Sequence, residues 1–225
     1  MAKIPIALQL YSVRDDCTRD LEGTIAAVAQ MGYDGVEFAG YYGRSAEELR
    51  ALLDSHGLKC CGTHIGLDAL LGDELERTVE FNKVLGNKFL IVPGLGPEHT
   101  SSRQAWRKTA DTFNEIAARL EPLGALVGYH NHQCELEAHV DGTTGLEVLA
   151  DLLDPAVVLE LDTYWAAVGG ADPIALLGRL GDRVRLIHVK DGDISLDTKN
   201  QTAVGSGRMP VLDILAAAPT ARRVV

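Results

Sequence analysis

The sequence has no hydrophobic run long enough to cross a membrane and no signal-peptide pattern at its amino terminus. A membrane helix needs about 18 apolar residues, and the apolar stretch after Met1 is shorter and lacks a small-residue cleavage pattern. Basic residues are also few, because 21 lysines and arginines face 32 aspartates and glutamates, which gives a net charge of −11. We therefore expect a cytoplasmic protein that binds neither membranes nor the phosphate backbone of nucleic acids.

Cysteine is scarce and is not arranged as a metal or redox motif. The four cysteines are Cys17, Cys60, Cys61 and Cys134, and no two of them form a C-x-x-C pair. A structural zinc site and a thioredoxin-like motif are therefore disfavoured. Reduced, mostly buried thiols are the simpler interpretation for a cytosolic protein.

A repeated pattern runs through the chain, in which a helical stretch ends at glycine and a short apolar strand follows. It occurs at Gly32, Gly57, Gly86 and Gly124, where glycine suits the left-handed end of a helix. Short, continuously apolar strands are typical of parallel strands buried on both faces. The sequence predicts strands near residues 5–11, 35–38, 58–64, 88–92, 125–130, 157–162 and 185–189, and an eighth beginning at Arg222.

Eight strand–helix units predict an α/β fold, a (β/α)8 TIM barrel formed by a single domain over residues 1–225. Such barrels typically have ~250 residues, so we expect the carboxyl-terminal end to be incomplete, with strand eight truncated. A doubly wound sheet is the alternative. It usually carries a glycine-rich phosphate loop, and no G-x-G-x-x-G or G-K-[ST] string is present.

Polar residues cluster where the predicted strands end, and in a barrel these ends converge on the catalytic face. Carboxylates and imidazoles that converge in this way suit a divalent metal such as Mn, Mg, Co or Zn. The metal would act as a Lewis acid while a nearby carboxylate or histidine moves a proton. The residues at the strand ends are Gln9, Tyr11, Glu37, His64, His130, Asn131, His132, Glu135, Glu160, Asp162, Trp165, His188, Lys190 and Asp191.

Three strings, GYHNHQCELE, VLELDTYW and LIHVKDG, resemble the xylose-isomerase-like TIM-barrel family, also called the sugar phosphate isomerase/epimerase group. The resemblance spans nearly the whole chain, and the order and spacing of the strings carry it. It implies a metal held by Glu, Asp, His and Glu from the ends of four strands. It also implies a substrate that is a sugar, an inositol-type polyol or a keto-sugar.

Carried onto this sequence, the resemblance assigns Asp162 and His188 as metal ligands. Many relatives have glutamate where this chain has His130, so the strand-five ligand is expected to be Glu135, with His130 as the alternative. The last glutamate ligand would follow Arg222–Val225, beyond the sequence given.

The resemblance also implies catalytic and substrate-binding roles. His132 is expected to transfer a proton, and Glu135 and Lys190 are the other expected catalytic residues. Trp165 would stack on a sugar face, and Lys190 would donate to a hydroxyl or phosphate oxygen. The remaining expected substrate contacts are Gln9, Glu37, His64 and His130.

Three of the strand-end residues also have structural interpretations. Glu37 could form a salt bridge at a strand end, and His64 could be a hydrogen-bonded packing histidine. Glu160 lies two residues before Asp162 and so points the same way along the strand. It is interpreted as a buried partner for Lys190 or Arg185 rather than as a ligand.

The expected function is that of a divalent-metal-dependent isomerase or epimerase of a sugar, sugar phosphate or polyol, which abstracts a proton next to a carbonyl. The alternatives are an inosose- or keto-sugar-type dehydratase using the same site, and a sugar-binding barrel without turnover. A relative of endonuclease IV, which has the same fold, is disfavoured by the net charge of −11. The expected partner is a small-molecule sugar or polyol, and the sequence is compatible with a homo-oligomer.

Overall fold

Eight parallel strands close into a barrel in which each strand pairs with the next and the last pairs with the first. The structure, a computed structural model, describes residues 4–137, 139–140 and 142–225. The (β/α)8 barrel predicted from the sequence is confirmed. Its strands are β1 (Ile6–Gln9), β2 (Gly35–Ala39), β3 (Lys59–His64), β4 (Phe89–Val92), β5 (Leu126–His130), β6 (Val158–Asp162), β7 (Val184–His188) and β8 (Arg222–Val224).

Helices connect consecutive strands, as the parallel order requires. The longest of them is Arg103–Leu120, and none in the described part of the chain is long and apolar enough to cross a membrane. The other α-helices are Arg14–Arg19, Leu21–Gln30, Ala46–Ser55, Glu74–Leu85, Pro97–Thr100, Cys134–Glu137, Gly145–Leu152, Thr163–Val168, Pro173–Leu180 and Val211–Ala217.

Local sequence signals set where these helices begin and end. Ser45 and Glu48 form a capping box, since each side chain accepts a hydrogen bond from the other residue's backbone amide. The helix Glu74–Leu85 ends at Gly86, whose φ of 79° lies in the left-handed region that glycine adopts without strain. The helix–glycine–strand pattern seen in the sequence therefore has the expected structural cause at this position.

The eighth strand is short but is paired on both edges. Val224 lies beside Ala7 of β1 and beside His188 of β7. Val225 extends the contact, because its amide donates to Ala7 O at 2.9 Å and its carbonyl accepts from Gln9 N at 2.8 Å. Three residues of β8 are therefore enough to close the ring of strands.

The main core lies between the barrel and the outer helices. The helix Arg103–Leu120 contributes a buried apolar stripe that includes Trp106, Phe113 and Leu120. A second, smaller core packs the first two connecting helices against β1–β3, with Ile25 and Leu49 fully buried. These two cores fix the strands in place and leave the carboxyl ends of the strands free for polar residues.

A fully paired polar cluster, here called the asparagine network, lies outside the barrel between β3 and the helix Glu74–Leu85. Its members are Thr63, Asn82 and Asn87, all buried. Asn82 Oδ1 accepts from Thr63 Oγ1 at 2.9 Å and from Asn87 Nδ2 at 3.0 Å, while Asn82 Nδ2 donates to Tyr41 Oη at 3.0 Å. Asn87 also exchanges hydrogen bonds with the backbone of Phe89, which ties the start of β4 to the helix.

Candidate metal centre and active-site pocket

Three histidines and a glutamate from four barrel strands converge at the carboxyl end of the barrel. They are His64 of β3, His130 of β5, Glu160 of β6 and His188 of β7, and we call them the His–Glu group. One ligand atom from each lies within 4.8 Å of the ligand atoms of the other three. This spacing allows a single ion to contact all four residues.

Glu160 lies at the centre of this group. Its Oε2 atom is 2.7 Å from His64 Nε2, 3.0 Å from His130 Nδ1 and 3.3 Å from His188 Nε2. The interpretation of Glu160 as a partner of Lys190 or Arg185 is therefore wrong. The side chain points into the barrel one layer below that of Asp162, because alternate residues of a strand face the same side.

A second glutamate, Glu37 of β2, touches the group from the opposite side of the barrel. Its Oε2 atom accepts a hydrogen bond from Gln9 Nε2 at 2.5 Å and lies 2.8 Å from His188 Nε2 and 3.3 Å from His64 Nε2. Gln9, Glu37 and His64 are thus brought together, as expected from their positions at strand ends. The contacts of Glu37 are with this group rather than with a basic residue at a strand end.

Both buried glutamates follow an irregularity in strand pairing. The register shifts between Val36 and Glu37 and again between Leu159 and Glu160. Such shifts re-aim the side chain that follows them. Space for the Glu37 carboxylate comes from Gly62, since a Cβ atom at that position would lie 2.4 Å from Glu37 Oε1.

Asp162 lies on the outer side of the same group. Its Oδ2 atom accepts from Lys190 Nζ at 2.6 Å and is 3.8 Å from both His130 Nε2 and His188 Nδ1. The two ligands expected from the resemblance, Asp162 and His188, therefore lie at the same end of the barrel. Asn131 holds the aspartate in place, because its Oδ1 atom accepts from the Asp162 amide at 3.0 Å.

Glu135 is buried but lies outside the His–Glu group. Its carboxylate accepts hydrogen bonds from Tyr129 Oη at 2.5 Å and from the His132 amide at 2.8 Å. The short helix Cys134–Glu137 turns this side chain toward the preceding loop, which explains why it does not reach the His–Glu group. Of the two strand-five alternatives, His130 is the residue that the structure brings into the group.

A cavity of about 860 Å³ opens above the group toward solvent. His132 faces it, with its ring centroid 5.1 Å from that of His130 and 6.3 Å from that of Trp165. Lys190 Nζ lies 5.8 Å from the centroid of the Trp165 ring. Further lining residues are Gln9, Tyr11, Arg14, His64, Thr198 and Gln201.

Burial and close contacts shift the pKa values of the two buried glutamates, Glu37 and Glu160, in opposite directions. Burial raises the pKa of Glu37 well above its ordinary value, and the adjacent Glu160 carboxylate raises it further. Burial acts in the same direction on Glu160, but interactions with His188, His64 and His130 outweigh it and hold the pKa of Glu160 well below the usual range. The two carboxyl groups therefore differ in acidity, as expected for two carboxyl groups that share a site.

Burial also lowers the pKa values of His64, His132 and His188, which favours their neutral forms. It lowers the pKa of His188 well below the ordinary value and lowers the pKa of His64 as well. Burial, together with the neighbouring His130, lowers the pKa of His132 to about 4. Neutral imidazoles keep a lone pair free, which is the form that binds metals.

Three buried polar atoms of the site have no hydrogen-bond partner among the residues that the structure describes. They are Glu37 Oε1, Glu160 Oε1 and His188 Nδ1. An unpaired buried acceptor costs about 1–3 kcal/mol, so a group with several of them is poised for a further partner. A divalent cation fits this donor set, because imidazole nitrogens and carboxylate oxygens are its usual ligands.

Comparison with known proteins places the chain in a family. Residues 25–218 match the model of the xylose isomerase-like TIM barrel. The chain belongs to this family. The resemblance seen in the three sequence strings is therefore confirmed over most of the chain.

Individual relatives carry varied names. The inosose dehydratase of Geobacillus kaustophilus (strain HTA426) is 28% identical over 189 residues, which cover 74% of this chain and 60% of that protein. The chain therefore spans about three fifths of the length of this curated relative. A sugar phosphate isomerase/epimerase from Parabacteroides distasonis ATCC 8503 superposes with a TM-score of 0.81 at 22% identity, covering 99% of this chain and 89% of that one.

A further solved structure, of the IOLI protein with a bound zinc atom, has a TM-score of 0.73 at 16% identity and covers 98% of this chain and 88% of that one. At this level of identity the likeness establishes the fold alone.

The site contains one residue whose place sequence reasoning missed. Glu160 stands between apolar residues in a strand whose five residues are all buried. A carboxylate in such a strand needs a buried partner, and the histidines at neighbouring strand ends were the available signal.

Proposed function

We propose that this chain forms the active-site barrel of a divalent-metal-dependent lyase that dehydrates a keto-polyol of the inosose type. The observation that carries the proposal is the convergence of the His–Glu group and Asp162 beneath an open polar cavity. The similarity to inosose dehydratases supports the choice of reaction, and the zinc bound by a protein of the same fold supports a metal.

His64, His130, Glu160 and His188 would hold the metal, with Asp162 as a further ligand from the outer side. A divalent ion in this place supplies Lewis acidity toward a substrate carbonyl oxygen, which makes the neighbouring C–H bond more acidic. Sequence reasoning had proposed Glu135 for the strand-five ligand, and the contacts described above favour His130 in its place.

Proton removal falls to His132 in this proposal. Its ring lies beside His130 and faces the cavity, and neither ring nitrogen is hydrogen-bonded within the described residues. It would take the proton from the carbon next to the ketone, and the electron pair of that C–H bond would form a carbon–carbon double bond as the carbonyl becomes an enolate. Transfer of a proton by a positioned histidine contributes about 10²–10⁴-fold to a rate.

Departure of the hydroxyl completes the reaction. The enolate returns to a carbonyl, and its electron pair forms a double bond between the carbon that lost the proton and the next carbon. The C–O bond on that next carbon breaks, and the hydroxyl takes a proton to leave as water. Lys190 is the candidate donor, because its ammonium group is oriented by Asp162 Oδ2 at the cavity wall. Trp165, next to Lys190, would stack on one face of the polyol ring.

An isomerase or epimerase is the second candidate, as the sequence first led us to expect. It is favoured by the structural likeness to a sugar phosphate isomerase/epimerase. The two reactions share the removal of a proton next to a carbonyl and differ only in whether a hydroxyl then departs.

The test is to incubate the purified chain with inosose in D₂O, with Mn²⁺, Co²⁺, Zn²⁺ or Mg²⁺ in turn, and to follow the products by mass spectrometry and NMR. Metal-dependent loss of one water molecule supports the dehydratase. Deuterium at the carbon next to the carbonyl without loss of water supports the isomerase or epimerase.

His132→Asn should abolish either signal, while the matched variant His56→Asn, at a helix end away from the cavity, should retain it. If the folded wild-type protein binds inosose but neither exchanges nor dehydrates it with any of these metals, the chain is a binding barrel and the proposal is wrong.

A further inference from the structure

Asp191 is a buried carboxylate whose hydrogen-bond partners are backbone amides. It lies three residues after β7 and is only 1% exposed. Its Oδ1 atom accepts from Gly192 N at 2.8 Å and from Met209 N at 3.0 Å, and its Oδ2 atom accepts from Gly205 N and Gly207 N, each at 2.9 Å. Four amides thus bind one side chain, and they come from both ends of the segment 192–209.

The glycines of this segment are required by the close approach of the carboxylate. A Cβ atom on Gly207 would lie 2.2 Å from Asp191 Oδ1 and 2.4 Å from Gly192 N. Gly205 has a φ of +91°, a conformation that residues with a side chain rarely adopt. The Gly205–Ser206–Gly207 string has the form of an anion-binding turn, and the anion that its amides bind is the protein's own Asp191.

The segment is also anchored near its start, at Ser195. Tyr164 Oη accepts from Ser195 N at 3.1 Å and donates to Ser195 O at 3.3 Å. Between the two anchors, Gln201 pairs with Gly192 in a short antiparallel ladder. The segment is therefore held as a fixed wall of the cavity.

This wall presents neutral polar groups to the cavity. Thr198 and Gln201 line it, next to Lys190 and Trp165. A hydroxyl and a carboxamide form hydrogen bonds in both directions and carry no charge, which matches the hydroxyl groups of a polyol. The three amides of the glycine turn are already bonded, those of Gly205 and Gly207 to Asp191 and that of Ser206 to Ala203 O, so the turn offers no free amide to a phosphate.

We propose that Asp191 is a positioning residue, which holds the segment 192–209 so that Gln201 and Thr198 bind an uncharged, hydroxyl-bearing part of the substrate. The segment is then a specificity determinant of the pocket. The class of substrate in this inference rests on the proposed function. The inference adds that the segment 192–209 selects that substrate.

The first test measures binding without turnover. The dissociation constant of myo-inositol, measured by isothermal titration calorimetry with the metal-saturated chain, should rise about five- to tenfold in Gln201→Ala, because one hydrogen bond to a hydroxyl is lost. The same rise is expected in Asp191→Asn, since the amide nitrogen that replaces one oxygen cannot accept from the two backbone amides that face it. Asp193→Asn, an exposed change in the same segment, should bind as wild type does.

The second test separates positioning from general loss of structure. Hydrogen exchange of the backbone amides in 204–209 should become at least tenfold faster in Asp191→Asn, while exchange in β1–β7 stays unchanged. Gln201→Ala should leave exchange unchanged and still weaken binding. Failure of the wild-type chain to bind myo-inositol, or unchanged binding in both variants, would overturn the inference.

Neither measurement needs turnover of inosose. Failure to turn over inosose would therefore count against the proposed reaction, while the binding measurements would still decide this inference. Tighter binding of inorganic phosphate than of myo-inositol, lost in Gln201→Ala, would also contradict it.

Discussion

Two buried polar clusters lie on opposite sides of the same strand, and they differ in how completely they are paired. Thr63 of β3 points outward into the asparagine network, while the next residue, His64, points inward to the His–Glu group. Every side-chain donor and acceptor described for Asn82 and Asn87 has a partner. The inner cluster leaves Glu37 Oε1, Glu160 Oε1 and His188 Nδ1 unpaired.

This difference separates a structural role from a ligand-binding one. A buried network with all its partners stabilises the fold and gains nothing from a ligand. A cluster with several unpaired atoms and two carboxyl groups is costly by itself, and a bound cation would offset that cost. The comparison therefore predicts opposite responses of the two clusters to mutation and to metal.

The largest expected effect is on metal affinity in Glu160→Gln. The change removes the carboxylate that touches all three histidines, so the dissociation constant for Zn²⁺ or Mn²⁺ should rise about a thousandfold, equivalent to about 4 kcal/mol. Calorimetric titration of the metal-free chain measures it. Glu80→Gln, an exposed change on the helix Glu74–Leu85, is the matched control, and equal affinities in the two variants would show that the ion binds elsewhere.

Metal binding should stabilise the wild-type fold by a smaller amount. At a free metal concentration one hundred times the dissociation constant, the free energy of unfolding should rise by about 2.7 kcal/mol. Urea unfolding with and without a chelator measures the change. The same comparison in Glu160→Gln should show almost none, and a wild-type stability that chelation does not alter would contradict the assignment of the His–Glu group as the ion site.

The asparagine network should behave in the reverse way. Asn82→Ala removes the acceptor of the buried donors Thr63 Oγ1 and Asn87 Nδ2 and the donor to Tyr41 Oη. We expect a loss of about 2 kcal/mol in the free energy of unfolding. Metal affinity should stay within about twofold of wild type. Lys83→Ala, the next residue on the same helix and exposed, should change stability by less than about 0.5 kcal/mol. A loss of metal affinity in folded Asn82→Ala would mean that the two clusters are coupled.

The smallest expected effect concerns Asp191, a carboxylate that is fully paired like the asparagine network. Burial acts to raise the pKa of Asp191, but hydrogen bonds from the amides of Met209, Gly207, Gly192 and Gly205 outweigh it and lower the pKa. A lowered folded-state pKa contributes stability above the unfolded-state value of about 3.9, and that stability is lost as the pH falls further. The stability difference between wild type and Asp191→Asn should therefore shrink below about pH 4, and urea unfolding from pH 6 to pH 2.5 tests it. A constant difference would contradict the role given to its charge.

Much of the fold could be predicted from the sequence, because each element has a local cause. Glycine at the ends of helices and short apolar runs located all eight strands to within a few residues, as with Phe89–Val92. The first strand ends earlier than predicted, at Gln9, since its side chain accepts from the Tyr11 amide at 3.0 Å and starts a tight turn. That contact is not visible in hydrophobic periodicity.

The sequence predicted the end of the barrel at which the site lies, but not how far along the barrel axis each side chain reaches. Strand ends correctly indicated His64, His130, Asp162 and His188 as neighbours, because parallel strands end on one side of a barrel. How far each side chain reaches along the barrel axis depends on register. Shifts before Glu37 and Glu160 turn both glutamates into the centre, and such shifts leave no mark in a single sequence. The short helix Cys134–Glu137, which turns Glu135 away from the His–Glu group, could likewise not be predicted from a single sequence.

The pairing of β8 with β1 has a kinetic consequence. Ile6 and Arg223 lie side by side although almost the whole chain separates them, so this contact carries one of the largest loop-closure costs in the molecule. The contact between Glu37 and His188 also joins residues 151 positions apart, and it requires the same closed ring. The His–Glu group draws its residues from four strands, β3, β5, β6 and β7, so it is complete only when these strands have assembled. Bound metal should therefore act mainly on the lifetime of the native state. We expect metal to slow unfolding while leaving the early steps of folding at their metal-free rate.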